Sequence, residues 1–144
     1  MSIAGNHRTK DFRYSMTAEQ CDECGRVIFP KRDVCPECIQ PAHREIELSG
    51  KGTIYSFTTI YEAPPKGFAD QVPYSVGLIE LQEGPLITGR FTDMDPDELE
   101  IGLKVESVTR KWGEDLRTGP RGEAQIIYGF AFRKPVASVT RERG

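Results

Sequence analysis

All four cysteines of this 144-residue chain lie in one stretch, CDECGRVIFPKRDVCPEC, residues 21 to 38, as two C-x-x-C pairs separated by ten residues. No other feature restricts the fold as tightly, because any structure must bring two chelating turns together or leave both unused. A thioredoxin-like redox site uses one such pair at a helix start inside a βαβ unit. Here there are two pairs, and no βαβ pattern follows. Disulfide stapling suits small secreted chains, whereas the N-terminus MSIAGNHRTKDFRY has no apolar h-region and no apolar run approaches the roughly 18 residues of a membrane span. The expected compartment is the cytoplasm, where thiols stay reduced. A tetrahedral four-thiolate metal site needs two facing turns, which C-x2-C-x10-C-x2-C provides.

The neighbouring residues agree. Gly25 follows the first pair, where a tight turn favours a residue free of steric limits on φ. Pro36 stiffens the second, and Val27, Ile28, Phe29 and Val34 offer a short apolar β-arm between the turns. Arg26, Lys31 and Arg32 lie close enough in sequence to offset the charge of the thiolates. The expected ligands are Cys21, Cys24, Cys35 and Cys38, holding one zinc; iron shares the same ligand set. Four sulfurs fill the tetrahedron and leave no open position for water, so the expected role is structural.

Charge narrows the partners. Nineteen basic against twenty-two acidic side chains give −3, and four thiolates around one divalent ion take the holo protein to about −5. Such a chain gains nothing from long-range attraction to phosphate backbones.

The rest reads as β-structure. Thr17 and Gln20 have capping-box spacing, which predicts a helical turn before the first cysteine, with a flexible tail as the competing reading. Phe12 and Tyr14, lacking a local core, are candidate partner anchors. GTIYSFTTIY (52–61), YSVGLIEL (74–81), PLITGRF (85–91), LKVESVTRKW (103–112) and AQIIYGFAF (124–132) predict five strands. DMDPDELEIG (93–102) predicts one short helix, with Asp95 as cap, Pro96 at the start and Gly102 at the end. Five strands with a helix between the third and fourth is the order of an OB-fold, with Gly77 and Gly89 expected at bends or bulges. The expected fold is mainly β: an N-terminal rubredoxin-like zinc ribbon followed by a five-stranded OB-fold barrel with one short helix. The expected divisions are a lead-in at 1–20, the ribbon at 21–45, the OB-fold at 46–134 and a flexible tail at 135–144. YEAPPKGFADQVP (61–73) is too long for a tight hairpin, and loops of that size are often functional.

No catalytic constellation is evident. With every cysteine spent on metal, none is left as a nucleophile. The two histidines, His7 and His43, stand apart, and no nucleophile elbow, P-loop or dinucleotide fingerprint occurs. Asp93, Asp95 and Asp97 are accounted for by a helix N-terminus. The chain is not expected to catalyse a reaction unaided.

CDECGRVIFPKRDVCPEC, ELSGKGTIYSFTTI, VPYSVGLIELQEGPLITGRF and DPDELEIGLKVE, in that order, resemble the acyl-CoA-associated zinc-ribbon plus OB-fold proteins, a family long catalogued as a numbered domain of unknown function. The resemblance runs from about Cys21 to Phe132. It departs at Ile39-Gln40, where a Gly-Ser pair commonly follows the last cysteine, which predicts a different second turn. The N-terminal helix usual in the family is also shortened or altered.

The resemblance implies a subunit without its own active site that associates with a thiolase-fold enzyme. Some members stand beside an acetoacetyl-CoA thiolase and an HMG-CoA synthase, others beside sterol side-chain aldolases or hydratases. The small subunit of the benzylsuccinate-pathway thiolase is of the same kind. It follows that the partner supplies the nucleophilic cysteine, and that acyl-CoA or CoA is bound in a hetero-oligomeric complex doing thiolytic or retro-aldol chemistry. Within that frame Lys66 and Phe68 of the long loop are candidates to reach over the acyl-CoA entrance. Arg26, Lys31 and Arg32 are candidates for the nucleotide phosphates. The competing reading makes them solvated charges or protein–protein contacts. Two other functions remain in view. One is a single-stranded nucleic-acid module stacking bases on Tyr55, Phe57, Tyr61 and Phe91; the other is a redox module.

Overall fold

The computed structural model describes residues 14–41, 43–62, 72–115 and 125–136. Two antiparallel sheets organise them. The first has the order β2-β1-β3, from β1 (Thr17–Cys21), β2 (Val27–Ile28) and β3 (His43–Glu47). β1 lies in the middle, with Glu19 opposite both Ile28 and Glu45. The helical turn expected at Thr17–Gln20 is therefore a strand, and helical backbone occurs before it, at residues 14–15. Pairing on both sides outweighs the local capping signal. Gln20 is used differently: its amide donates to the Gly25 carbonyl at 2.9 Å and accepts from Arg44 Nη2 at 2.5 Å, tying the first cysteine turn to β3.

The second sheet has the order β6-β5-β4-β7-β8, from β4 (Lys51–Ile60), β5 (Tyr74–Leu81), β6 (Leu86–Arg90), β7 (Lys104–Asp115) and β8 (Gln125–Arg133). A parallel bridge between Phe91 and Phe132 brings the two ends together, with the Thr92 N–H donating to the Phe132 carbonyl at 2.8 Å. This is the five-stranded OB-fold barrel.

Gly77 and Gly89 are not bulges. They face each other in an unbroken β5–β6 register. The irregularities fall at Tyr55, between Ile54 and Ser56 of β4, and at Trp112, between Lys111 and Gly113 of β7. Close approach explains both glycines. A Cβ on Gly89 would stand 2.5 Å from the Phe132 ring, and one on Gly77 would stand 2.3 Å from the Ser56 carbonyl oxygen.

The expected helix at 93–102 is reduced to a single 3-10 turn, Pro96–Glu98. Asp95 does cap it, its N–H bonded to Glu98 Oε2 at 3.1 Å. The next residue, Leu99, is extended and buried in the barrel, so the helix ends where its first large apolar side chain is needed in the core. Gly102, at φ +92°, then turns the chain so that its N–H reaches the Ile54 carbonyl.

The barrel core holds Ile54, Ile79, Leu81, Ile87, Phe91, Leu99, Val105, Phe130 and Phe132, and residues of the first sheet join it. Met16, Ala18 and Leu48 are buried in the same cluster, with Val27, Phe29 and Ile46 packed against it. Phe29 lies 6.2 Å from Phe130, ring centre to ring centre, and Phe130 meets Phe132 edge to face at 6.0 Å. Ribbon and barrel thus share one interior. Among the described residues no helix is long and apolar enough to cross a membrane.

Candidate metal centre and its surroundings

Two turns with the same hydrogen bonding hold the cysteines. In the first, the Gly25 N–H donates to the Cys21 carbonyl at 2.9 Å and the Cys21 N–H to the Arg26 carbonyl at 2.9 Å. In the second, Ile39 donates to Cys35 at 3.0 Å and Cys35 to Gln40 at 3.1 Å. Gly25 and Ile39 occupy equivalent positions and both are left-handed, at φ +72° and +58°. The second turn does not differ as Ile39-Gln40 led us to expect; it is the same turn, built on a residue poorly suited to it. A β-branched residue in this region costs on the order of 1–2 kcal/mol.

The turns bring all four sulfurs within 4.8 Å of one another. Cys21 and Cys38 are 3.4 Å apart, sulfur to sulfur, and Cys24 and Cys35 are 3.6 Å apart. Zinc–sulfur bonds of about 2.3 Å in a tetrahedron place sulfurs about 3.8 Å apart, against about 2.05 Å in a disulfide. All four are free thiols, with Cys21 and Cys35 buried. Ionisation adds a second argument. Without a cation the Cys35 thiol is drawn down to about 7, chiefly by the Cys38 backbone N–H. Cys38 is pushed up to about 12, chiefly by its sulfur contact with Cys21. Four thiolates this close repel one another, and a divalent ion removes the conflict. The donors fit a closed structural zinc site, held by Cys21, Cys24, Cys35 and Cys38.

The cations expected beside the ribbon separate into two kinds. Arg26 is ion-paired with Glu37, and Lys31 with Glu45 on β3. Arg32 is exposed and has no ion pair among the described residues. Arg26 and Arg32 line a groove of about 550 Å³ between the ribbon and the β5–β6 turn, over Val27, Phe29, Pro36, Pro85 and Leu86; Lys31 is not among its lining residues. Lys66, Phe68, Phe12 and His7 lie outside the described residues.

Glu83, in the turn between β5 and β6, lines the same groove. Its Oε1 accepts the Ser49 N–H at 2.7 Å, while its Oε2 is buried without a partner among the described residues. Burial raises its pKa, but the hydrogen bonds from Ser49 outweigh this and leave it below the usual value. Nothing in the sequence marks the contact, because Ser49 is 34 residues away.

His43 belongs to the ribbon sheet. It sits on β3 opposite Cys21, its side chain 6% exposed, with Nδ1 3.4 Å from Glu19 Oε2 and Nε2 3.1 Å from the Gln40 carbonyl. Of the four aromatics considered for base stacking, Phe91 is barrel core, whereas Tyr55, Phe57 and Tyr61 are exposed.

Fold and site together define a two-part protein, a structural zinc ribbon joined to an OB-fold barrel. The rubredoxin-like zinc ribbon domain of ChsH2 matches residues 13–43, and the ChsH2 C-terminal OB-fold domain matches residues 45–110. A DUF35 domain-containing scaffold protein of Methanocaldococcus jannaschii is 42% identical over 86% of this chain and 84% of its own length. The benzoylsuccinyl-CoA thiolase subunit BbsA of Thauera aromatica is 35% identical over 58% of this chain and 60% of its own. Among solved structures, a chain of the Ltp2-ChsH2(DUF35) aldolase superposes with a TM-score of 0.66, at 26% identity and over 91% of both chains. The chain belongs to the DUF35 (ChsH2) family.

Proposed function

We propose that this protein is a non-catalytic, zinc-stabilised subunit of a thiolase-fold acyl-CoA enzyme, acting in the cytoplasm and supporting assembly and CoA binding in thiolytic or retro-aldol chemistry. The observation that carries the reading is the likeness over nine-tenths of both chains to a DUF35 chain of an aldolase complex. Relatives named as scaffold proteins and as a thiolase subunit support it. So does the site chemistry: the four cysteines are committed to a closed centre, so the nucleophile belongs to the partner.

Co-expression with a thiolase-fold enzyme tests this. The expected result is a stable complex containing zinc, with C–C cleavage only when both chains are present. A chain that stays apart from every thiolase-fold enzyme tested, or leaves its activity unchanged, would sink the proposal.

CoA contact is the finer part of the proposal. The exposure of Arg32 in the groove supports its contact with an anionic group; Arg26, paired with Glu37, and Lys31, paired with Glu45, are less available. Lys66 and Phe68 remain candidates on sequence grounds. Unchanged CoA affinity of the complex after Lys31→Ala and Arg32→Ala together would remove the ribbon from the CoA site.

The nucleic-acid reading keeps one supporting observation, the exposure of Tyr55, Phe57 and Tyr61. Against it, Gly52–Tyr61 contains no lysine or arginine to hold a phosphate backbone. A salt-sensitive mobility shift with single-stranded DNA or RNA would revive it.

A further inference from the structure

β4 is paired along its whole length on one side only. Toward β5 the ladder runs from Gly52 to Ile60. Toward β7 it covers only Lys51–Thr53, with one more pair of bonds joining Ile54 to Gly102 and Leu103. From Tyr55 to Ile60 the second side has no hydrogen-bonding neighbour among the described residues. Alternate N–H and C=O groups of this segment therefore point outward without a partner among the described residues.

Free strand edges are normally kept short or charged, to prevent pairing with other chains. Several free edges here obey that rule. β2 is two residues long. β3 carries His43, Arg44, Glu45 and Glu47. The part of β7 that pairs only with β8 carries Arg110 and Lys111. Two edges do not. β8 is uncharged from Gln125 to Phe132, but its far end is bridged to Phe91. On β4, Gly52–Tyr61 has no Asp, Glu, Lys, Arg or His, and is rich in β-branched and aromatic residues. Tyr55 is 59% exposed, Tyr61 72%, and Ile101, next to the Gly102 that ends the pairing, 71%.

We infer that the Tyr55–Ile60 edge of β4 is a docking site for an extended, uncharged polypeptide segment of the thiolase-fold partner, which adds to the barrel sheet as a further strand. The inference rests on the accessory-subunit reading and gives it a surface. A row of alternating backbone donors and acceptors is complemented by another strand and not by a phosphate chain or a small molecule. The absence of charge sets the character of the incoming segment, since a charged side chain laid along this edge loses water and gains no counter-charge. Tyr55 and Tyr61 supply flat apolar area for its side chains.

The test uses the full-length chain and its co-expressed thiolase-fold partner. Amide exchange within Tyr55–Ile60 is expected to slow at least tenfold on complex formation. Tyr55→Lys with Tyr61→Lys, both at exposed positions, is expected to weaken association at least tenfold while zinc content and melting temperature stay as in the wild type. If the complex forms and these amides exchange as fast as in the free chain, the inference fails and the accessory reading stands. If no thiolase-fold chain binds at all, both fall. Protection that appears instead with rising concentration of this chain alone overturns the inference and assigns the edge to a second copy; protection by a single-stranded oligonucleotide overturns it in favour of nucleic acid.

Discussion

Ribbon and barrel become ordered by different means, although they share an interior. The barrel is held by apolar burial, with Ile54, Ile79, Val105 and Phe132 almost wholly withdrawn from water. Among the described residues the ribbon has only Cys21, Ile28 and Cys35 as its own buried cluster, with Cys38 packed against it. Apart from what it lends to the barrel, its order depends on metal. The two halves should therefore respond to different perturbations, and four measurements can break or sharpen that contrast.

Loss of the metal is expected to have the largest effect. Structural zinc sites in small domains contribute on the order of 10 kcal/mol. Cys35→Ser, or chelation of the wild type, should abolish stoichiometric zinc and speed amide exchange from Thr17 to Glu47, with a fall in the melting temperature of the barrel. A Cys35→Ser chain that kept its zinc, its ribbon protection and its melting temperature would break the contrast.

Phe132→Ala comes next, at about 3–5 kcal/mol by urea denaturation, as for other large-to-small core changes. Gly89→Ala, which drives a methyl group into the Phe132 ring, should cost about 1–3 kcal/mol by overpacking. In both variants the molecules that remain folded should carry one zinc each. Loss of metal from folded protein would show that barrel packing, not the sulfur cage, governs the ribbon.

The two cysteine turns permit a finer comparison. Ile39→Gly should stabilise the chain by about 0.5–1 kcal/mol, since it relieves left-handed strain and returns part of the gain as unfolded-state entropy. Gly25→Ala should lose about 1 kcal/mol, although a Cβ there meets nothing within 4 Å. Thermal denaturation of both variants at fixed zinc would check the pair; equal effects of the same sign would show that the turns are not equivalent.

The smallest effect is electrostatic. The Lys134 ammonium bonded to Glu98, and the Arg110 guanidinium bonded to Asp93, hold these carboxyls below their usual range. Lowered folded values contribute stability above the unfolded pKa, and this is lost as pH falls through the folded value. Both pairs are exposed, so Glu98→Gln should lower stability only slightly at neutral pH and flatten the acid limb of the stability curve, where the wild type loses that contribution.

The sequence carried much of this. Residues 74–81 were legible as a strand to the residue, because alternation and hairpin signals are local. The four ligands were legible from spacing alone. What failed was decided by distant residues. Thr17–Gln20 became a strand because β2 and β3 flank it, and residues 93–102 lost most of their helix because Leu99 fills the core. Gly77 and Gly89 were noticed, but their cause, the rings of Phe91 and Phe132, lies on other parts of the chain. The ribbon cations were visible beside the cysteines, whereas the carboxylates that occupy two of them were not. The open edge of β4 had an unread sign in its sequence, ten consecutive residues, Gly52–Tyr61, with no charge to guard it.

The contact between Phe29 and Phe130 has a consequence for how much of this protein a cell can keep. Phe29 follows directly on β2 of the ribbon sheet and packs against the barrel core. A chain that fails to acquire zinc uncovers that interior and is exposed to proteases as a whole, rather than persisting as a barrel with a loose appendage. Zinc supply is then expected to meter the abundance of the whole protein, barrel included.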